Sequence, residues 1–298
     1  MKIEKDKILC LGEMLWDLLP SGPKPGGAPM NVALQLKRIG LNVQIASRVG
    51  NDELGSKLKS YLQSHDLTVD LVQVDSNLPT GEVIVTLDEN GNAVYEICEP
   101  VAWDNLKYTD NLIQALSETG IVVYGTLASR NSVAQETILK VLDNEALKII
   151  DVNLRPPFIQ KEKLEILLMK ADIIKLNNEE LNHISSWHDR SDEDENKMIR
   201  WLSKKYNSSM VCVTKGEEGC VLYSNNQFYT HPGYKITTVD TVGAGDAFLA
   251  GFIFAMIQGK THEEILNFSS ATGAFVASKE GANPDYNMNE ILQIMSQK

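Results

Sequence analysis

The chain lacks any uninterrupted apolar run approaching 18 residues, so it offers no candidate transmembrane helix. Its opening residues, 1–7, lead into no apolar signal segment. Cysteine is scarce: Cys10, Cys98, Cys212 and Cys220 lack the paired spacing of a metal site or a disulfide framework. They read as small buried hydrophobes in a reducing compartment, and these absences together point to a cytoplasmic protein. Basic residues are outnumbered, 28 Lys and Arg against 40 Asp and Glu, and the net charge of −12 argues against nucleic acid or an anionic membrane as a partner. An anionic nucleotide would have to be met by local features. No Gly-x-x-x-x-Gly-Lys-Ser/Thr loop occurs, which excludes a P-loop phosphate cradle. Gly243-x-Gly245 is half of a dinucleotide fingerprint, but Phe248 stands where the third glycine should be. Glu263 and Glu264, about 20 positions on, fall in a helical segment rather than at a strand end.

What is present centres on Asp240-Thr241-Val242-Gly243-Ala244-Gly245-Asp246-Ala247-Phe248. Residues 234–239 before it have the β-branched, aromatic character of a strand, and residues 247–258 after it form an apolar helical run. The small-residue turn between them leaves the amides of Gly243, Ala244 and Gly245 uncovered at a helix start, a natural seat for an anion. Asp246 reads either as an acidic residue favoured by the helix dipole or as a base beside a bound phosphoryl group. Three amides with a carboxylate behind them favour the base, because phosphoryl transfer to an alcohol needs positioning, charge stabilisation and an oriented nucleophile.

Toward the N-terminus, residues 8–12 form a short apolar run typical of a buried strand, and the next segment leaves Asp17 among bulky apolar residues. That carboxylate either meets a partner or polar ligand or lies on an exposed strand face. The turn Gly26-Gly27-Ala28-Pro29-Met30-Asn31 opens a helix running to about Gly40. Gly27 bares backbone there, and Asn31 either suits a sugar hydroxyl or caps a tight turn. Asp17, Gly27 and Asn31 carry weight only as a group. Residues 43–49 read as a strand and 52–65 as a helix; residues 80–87 and 93–97 alternate on either side of Asp88-Glu89-Asn90-Gly91-Asn92, a hairpin signal.

Beyond residue 105 the pattern becomes helix and strand in alternation. Helices are expected over 105–117, 132–143 and about 192–206, the last with Ser191 and Asp194 in a capping arrangement. Short buried strands are expected over 121–124, 148–151, 172–175, 210–214 and 219–223. This predicts a layered α/β/α fold on a mostly parallel sheet, with ligands at the carboxyl ends of the strands. Asp151-x-Asn153-x-Arg155, Lys175-x-Asn177-x-x-Glu180 and Thr214-Lys215-Gly216 all fall at such ends. Glu180-x-x-His183 has helical metal-ligand spacing, but no second copy of it exists.

The segment from Gly26 to Ala33, with Gly40 and Gly50, resembles the first signature of the ribokinase-like (PfkB) carbohydrate kinases, and the segment from Asp240 to Gly251 resembles the second. The resemblance covers the chain and implies one ribokinase-like domain over 1–298. That domain is a three-layer α/β/α body with a small β-sheet lid whose strands lie within about 13–25 and 79–99. It implies an ATP- and Mg²⁺-dependent sugar kinase: Asp246 as base, Gly243, Ala244 and Gly245 as anion hole, Arg155 near the transferring phosphate, and Asp17, Gly27 and Asn31 on the sugar. Asn177 and Glu180 would handle Mg²⁺ through water. Lys175, Thr214, Gly216, Gly219 and Ser270 would lie along the nucleotide. Asp240, with carbonyls near 278–281, resembles the monovalent-cation (K⁺) site of some relatives. Within the family, Gly12-Glu13-x-Leu15-x-Asp17-x-x-Pro20 followed by Gly-Gly-Ala-Pro-x-Asn is similar to bacterial fructokinases, with 2-keto-3-deoxygluconate kinases and other ketose or nucleoside kinases as the alternative. A lid with an apolar face implies a homodimer through it.

Overall fold

The computed structural model describes residues 5–19, 22–87 and 93–296. Its first strand, β1 (Lys7–Leu11), has four consecutive buried residues and is apolar on both faces, as an interior strand covered by helices on each side must be. An antiparallel pair, β2 (Leu15–Leu19) and β3 (Gly22–Gly26), leads into α1 (Ala28–Arg38), β4 (Val43–Gly50), α2 (Glu53–Ser64) and β5 (Val72–Asp75). A second antiparallel pair, β6 (Gly81–Leu87) and β7 (Ala93–Ile97), is followed by α3 (Asp110–Leu116), β8 (Thr119–Gly125), α4 (Ser132–Leu142), β9 (Leu147–Asp151), α5 (Lys161–Leu168), β10 (Ile173–Asn177) and α6 (Asn178–Ser186). The chain ends with α7 (Glu195–Tyr206), β11 (Met210–Thr214), β12 (Cys220–Ser224), β13 (Gln227–His231), α8 (Ala244–Ile257), α9 (His262–Ala277) and α10 (Met288–Met295).

Nine strands form one sheet in the order β13-β12-β11-β10-β9-β8-β1-β4-β5, parallel except for β12 and β13 at one edge. One face is covered by α1, α2, α8, α9 and α10 through a core that includes Ile8, Cys10, Ile45 and Phe252; the other, through Leu9, Leu11 and Val122, by α3 to α7. This is the three-layer architecture that the alternation of short apolar strands and helices predicts. β1 lies between β8 and β4, so successive connections leave it in opposite directions and open a crevice at its carboxyl end. A separate sheet, β3-β2-β6-β7, carries its own small cluster of Leu15, Val83 and Val85. Among the described residues no helix is long and apolar enough to cross a membrane.

Three local expectations are corrected. Residues 234–239 form no strand: Val239 is exposed, and the amides of Val239 and Asp240 bond instead to the carbonyl of Ala277. β-branched residues favour a strand only when a neighbouring strand is there to pair, and this segment has none. The helix expected over 105–117 is a single 3₁₀ turn at Ala102–Asn105, a break, and then α3, capped by Thr109. α7 is capped by Asp194, whose side chain accepts from the Lys197 amide, and not by Ser191. The turn expected at Asp88–Asn92 lies outside the described residues, although the arms pair from Val83↔Ile97 to Leu87↔Ala93.

Candidate active site

The first turn of α8 is shaped by Gly243, which sits at φ 76°. A Cβ there would fall 2.5 Å from both Cα and Cβ of Ala282, so only glycine fits. Of the three expected amides, that of Ala244 is turned back onto the carbonyl of Thr241 at 3.2 Å. Gly243, Gly245 and Asp246 are the N–H groups of this turn without an acceptor among the described residues.

Asp246, only 9% exposed, accepts a hydrogen bond at Oδ2 from Asn31 Nδ2 at 2.8 Å; its Oδ1 takes none from a described residue. Burial pushes its carboxyl up to about 7, and the nearby Asp151 carboxylate pushes the same way, against the Asn31 hydrogen bond and the charges of Lys175 and Arg155. Lys175 is held by both oxygens of Asp151, at 3.0 and 2.8 Å. Its Nζ lies 3.1 Å from where a Cβ on Gly245 would stand, so it underlies the anion turn rather than the loops beyond β11. Burial works against its charge, but Asp151, Glu180 and Asp246 outweigh it and raise its pKa. Cys10 faces Asp246 from β1 and is kept as the thiol, first by burial and then by the Asp246 carboxylate.

Asp17 pairs with Val83 across β2 and β6, which puts its side chain on the inner face of the small sheet with Leu15 and Val83. Half-buried, it has no hydrogen-bond partner among the described residues, and burial pushes its carboxyl up to about 6, opposed by the charge of Arg155. Arg155 is exposed, with no ion pair among the described residues; the strand-end carboxylate Asp151 belongs to Lys175 instead. Gly27, at φ 112°, lies against the carbonyl of Glu13. Asn31, expected on the sugar, is bonded to Asp246 and, through its Oδ1, to Asn283 Nδ2 at 2.8 Å, which leaves its second N–H.

Asn177 and Glu180 form a capping box at the start of α6. Glu180 Oε2 accepts from the Asn177 amide and Oε1 from the Leu154 amide, each at 2.8 Å. Among the described residues no group of three or more His, Cys, Asp or Glu could hold a metal. The donor set nonetheless fits Mg²⁺, which keeps several waters and is commonly held by one or two carboxylates together with substrate phosphates. Glu180 keeps lone pairs for such water. Asp240 accepts from the amides of Val242 and Gly281, both at 3.0 Å.

On the other side of the turn, Gly216 has open space beside it, whereas Gly219 packs so tightly that a Cβ would meet the His231 carbonyl at 1.9 Å. Packing alone accounts for glycine at 219. Thr214 Oγ1 turns to the Leu176 carbonyl, and Ser270 Oγ lies 3.5 Å from Cys220 Sγ. A groove of about 510 Å³ along α7, lined by Arg190, Arg200 and Trp201 among others, shares no residue with this cluster.

Reading the sequence missed two groups. Glu13 is fully enclosed beneath the Gly27 turn, its Oε2 without a partner among the described residues, and burial raises its pKa despite Arg155 and Arg130 nearby. Gln35 bonds to Ala282 and Tyr286. Asn31 and Gln35 stand at i and i+4 among the apolar residues 28–36 of α1, a pattern legible in the sequence; Asn283 and Tyr286 gave none.

The sequence profile described as "pfkB family carbohydrate kinase" matches residues 22–288. Fructokinase-2 of Solanum habrochaites is 28% identical over 306 residues, spanning 93% of this chain and 92% of its own. Fructokinase of Xylella fastidiosa with bound ATP superposes with a TM-score of 0.87 at 24% identity, over 98% of both chains. A fructokinase double mutant of Vibrio cholerae O395, bound to fructose, ADP and potassium, does so with a TM-score of 0.82 at 19% identity, over 99% of this chain and 100% of its own.

Proposed function

This chain belongs to the pfkB family of carbohydrate kinases, and on that premise we propose that it transfers the γ-phosphoryl of ATP to a hydroxymethyl group of D-fructose, giving fructose 6-phosphate. One observation carries the mechanism. A buried carboxylate with a raised pKa stands in the first turn of a helix, its Oδ1 and the neighbouring amides without a partner among the described residues. A phosphoryl group held by the amides of Gly243, Gly245 and Asp246 has its developing charge stabilised there, with the Lys175 ammonium behind. Asp246 Oδ1 takes the proton of the attacking hydroxyl, and a pKa near 7 suits a base that must be ionised yet still proton-hungry. Arg155, exposed and with no ion pair among the described residues, would meet the equatorial phosphate oxygens.

Asp17 on the inner sheet face, with the Gly27 backbone, would hold the sugar hydroxyls. Asn31 acts chiefly by holding Asp246. Mg²⁺, carried with the nucleotide and met through water by Glu180 and Asn177, would neutralise phosphate charge when bound. Asp240 and carbonyls near 278–281 would take K⁺, as the potassium bound to the Vibrio protein suggests. Gly216, Thr214 and Ser270 would flank the nucleotide.

The small sheet would act as a lid that excludes water, the competing phosphoryl acceptor, and Ile84 on its outer side would contribute to a homodimer. The four unpaired cysteines fit a cytoplasmic setting.

The test is a panel of sugars in a coupled ADP-release assay, run on the wild type and on Asp246→Asn. Fructose should give the highest kcat/KM, and the variant should lose roughly 10²–10⁴-fold in turnover. A higher kcat/KM for 2-keto-3-deoxygluconate would replace the substrate. Near-normal turnover in the variant would remove Asp246 from the mechanism.

A further inference from the structure

The Asp246 carboxylate lies at one end of a chain of side-chain amides that runs away from the reacting groups. Asn31 Nδ2 donates to Asp246 Oδ2 at 2.8 Å, Asn283 Nδ2 donates to Asn31 Oδ1 at 2.8 Å, and Gln35 Nε2 donates to Asn283 Oδ1 at 3.4 Å. Gln35 Nε2 also donates to the backbone carbonyl of Ala282 at 2.9 Å, and Gln35 Oε1 accepts from the Tyr286 hydroxyl at 2.8 Å.

An amide side chain can present either its oxygen or its nitrogen to a neighbour, so orientation is what such a chain must settle. A backbone carbonyl can only accept. Ala282 therefore turns the NH₂ of Gln35 toward residues 282 and 283. That turns the oxygen of Asn283 toward Gln35 and its NH₂ toward Asn31, and so turns the NH₂ of Asn31 toward Asp246. Gln35 at 0% and Asn31 at 5% exposure leave water poorly placed to substitute for either, while Asn283 and Tyr286 are half-buried. Inverted, the chain would aim the Asn31 oxygen at an ionised carboxylate, which is repulsive.

We propose that Asn283 and Gln35 are positioning residues for phosphoryl transfer, a directed relay anchored on the Ala282 carbonyl that keeps Asn31 donating to Oδ2 of Asp246 and leaves Oδ1 for the sugar hydroxyl. The same anchor residue packs against Gly243, so the segment that aims the base also shapes the anion turn. The proposal rests on Asp246 being the base. The other charged or titratable groups facing Asp246 are Asp151 and Lys175 from β9 and β10, Cys10 from β1, and Arg155; none belongs to the relay.

The test is a double-mutant cycle on the full chain with Asn31→Ala, Asn283→Ala and the pair, read as kcat, KM for ATP and the pH profile of kcat/KM. Asn283→Ala should lower kcat roughly tenfold, as expected for a lost hydrogen bond serving a charged group, leave the KM for ATP unchanged and move the acidic limb of the profile to higher pH. In the Asn31→Ala background it should have no further effect on kcat. If Asn283→Ala fails to fold, Asn283→Ser carries the same cycle. An undiminished effect in the Asn31→Ala background would overturn the relay, because Asn283 would then act by strapping Ala282 onto Gly243. A wild-type kcat and pH profile for Asn283→Ala, with Asp246→Asn inactive, would also overturn it while sparing the base. Normal turnover of Asp246→Asn would remove the base itself.

Discussion

Asp246 works against the stability of its own fold. Its carboxyl is held near pH 7 in the folded chain against an ordinary value of 3.8, chiefly by burial. The folded state therefore binds more protons than the unfolded state between those limits, and stability falls as pH rises through that window. Below pH 4 both states are protonated and the penalty is absent; above pH 7 it is complete. Asp246→Asn keeps an acceptor for Asn31 without the buried charge. Ligand-free, it should melt above the wild type at pH 8, by the equivalent of a few kcal/mol. The difference should vanish near pH 4, as followed by circular dichroism at both pH values. The same substitution removes the proposed base, so stability and turnover should move in opposite directions.

At the scale of the element, the helix start of α8 uses its two glycines for different reasons. Gly243 occupies the left-handed region with the Ala282 backbone against it, so Gly243→Ala must strain the turn or displace residues 281–283. A loss of roughly 1–3 kcal/mol in a urea melt is expected, with turnover falling as a consequence. Gly245 is helical, and a Cβ there meets only the Lys175 ammonium, the far end of a flexible side chain. Gly245→Ala should leave the urea midpoint unchanged or raise it slightly, by removing glycine from a helix, yet lower kcat by displacing the charge behind the phosphoryl site. The capping box of Asn177 and Glu180 illustrates the converse. A motif read for metal handling also has a plain helix-start role, and its carboxylate oxygens already serve two amides.

Across the whole molecule, the site is a meeting of distant segments at the crevice beside β1. Asn31 and Asp246 are 215 residues apart, and the small sheet brings Asp17 over the same region from a separate set of strands. If that sheet closes on the sugar, amide hydrogen exchange in β2 and β6 should slow when fructose and a non-hydrolysable ATP analogue are bound together, with little change in β8 to β10. Equal protection throughout would deny it the role of a lid.

The layered sheet was legible from residue order, because apolar runs of four or five residues between amphipathic helices have few other ways to bury both faces. So were the two glycine turns and the carboxylate behind one of them, since backbone exposure at a helix start follows from small residues alone. Tertiary packing was needed to show that residues 234–239 lack a partner strand, that the Ala244 amide turns onto Thr241, that Asn31 bonds to Asp246, and that Lys175 sits under the turn. Asn31 reaches Asp246 across 215 residues, and Lys175 and Ala277 come from other elements, whereas the Ala244 amide closes onto Thr241 within its own turn; hydrogen bonds and buried charges are settled by such neighbours, which a one-dimensional pattern does not show.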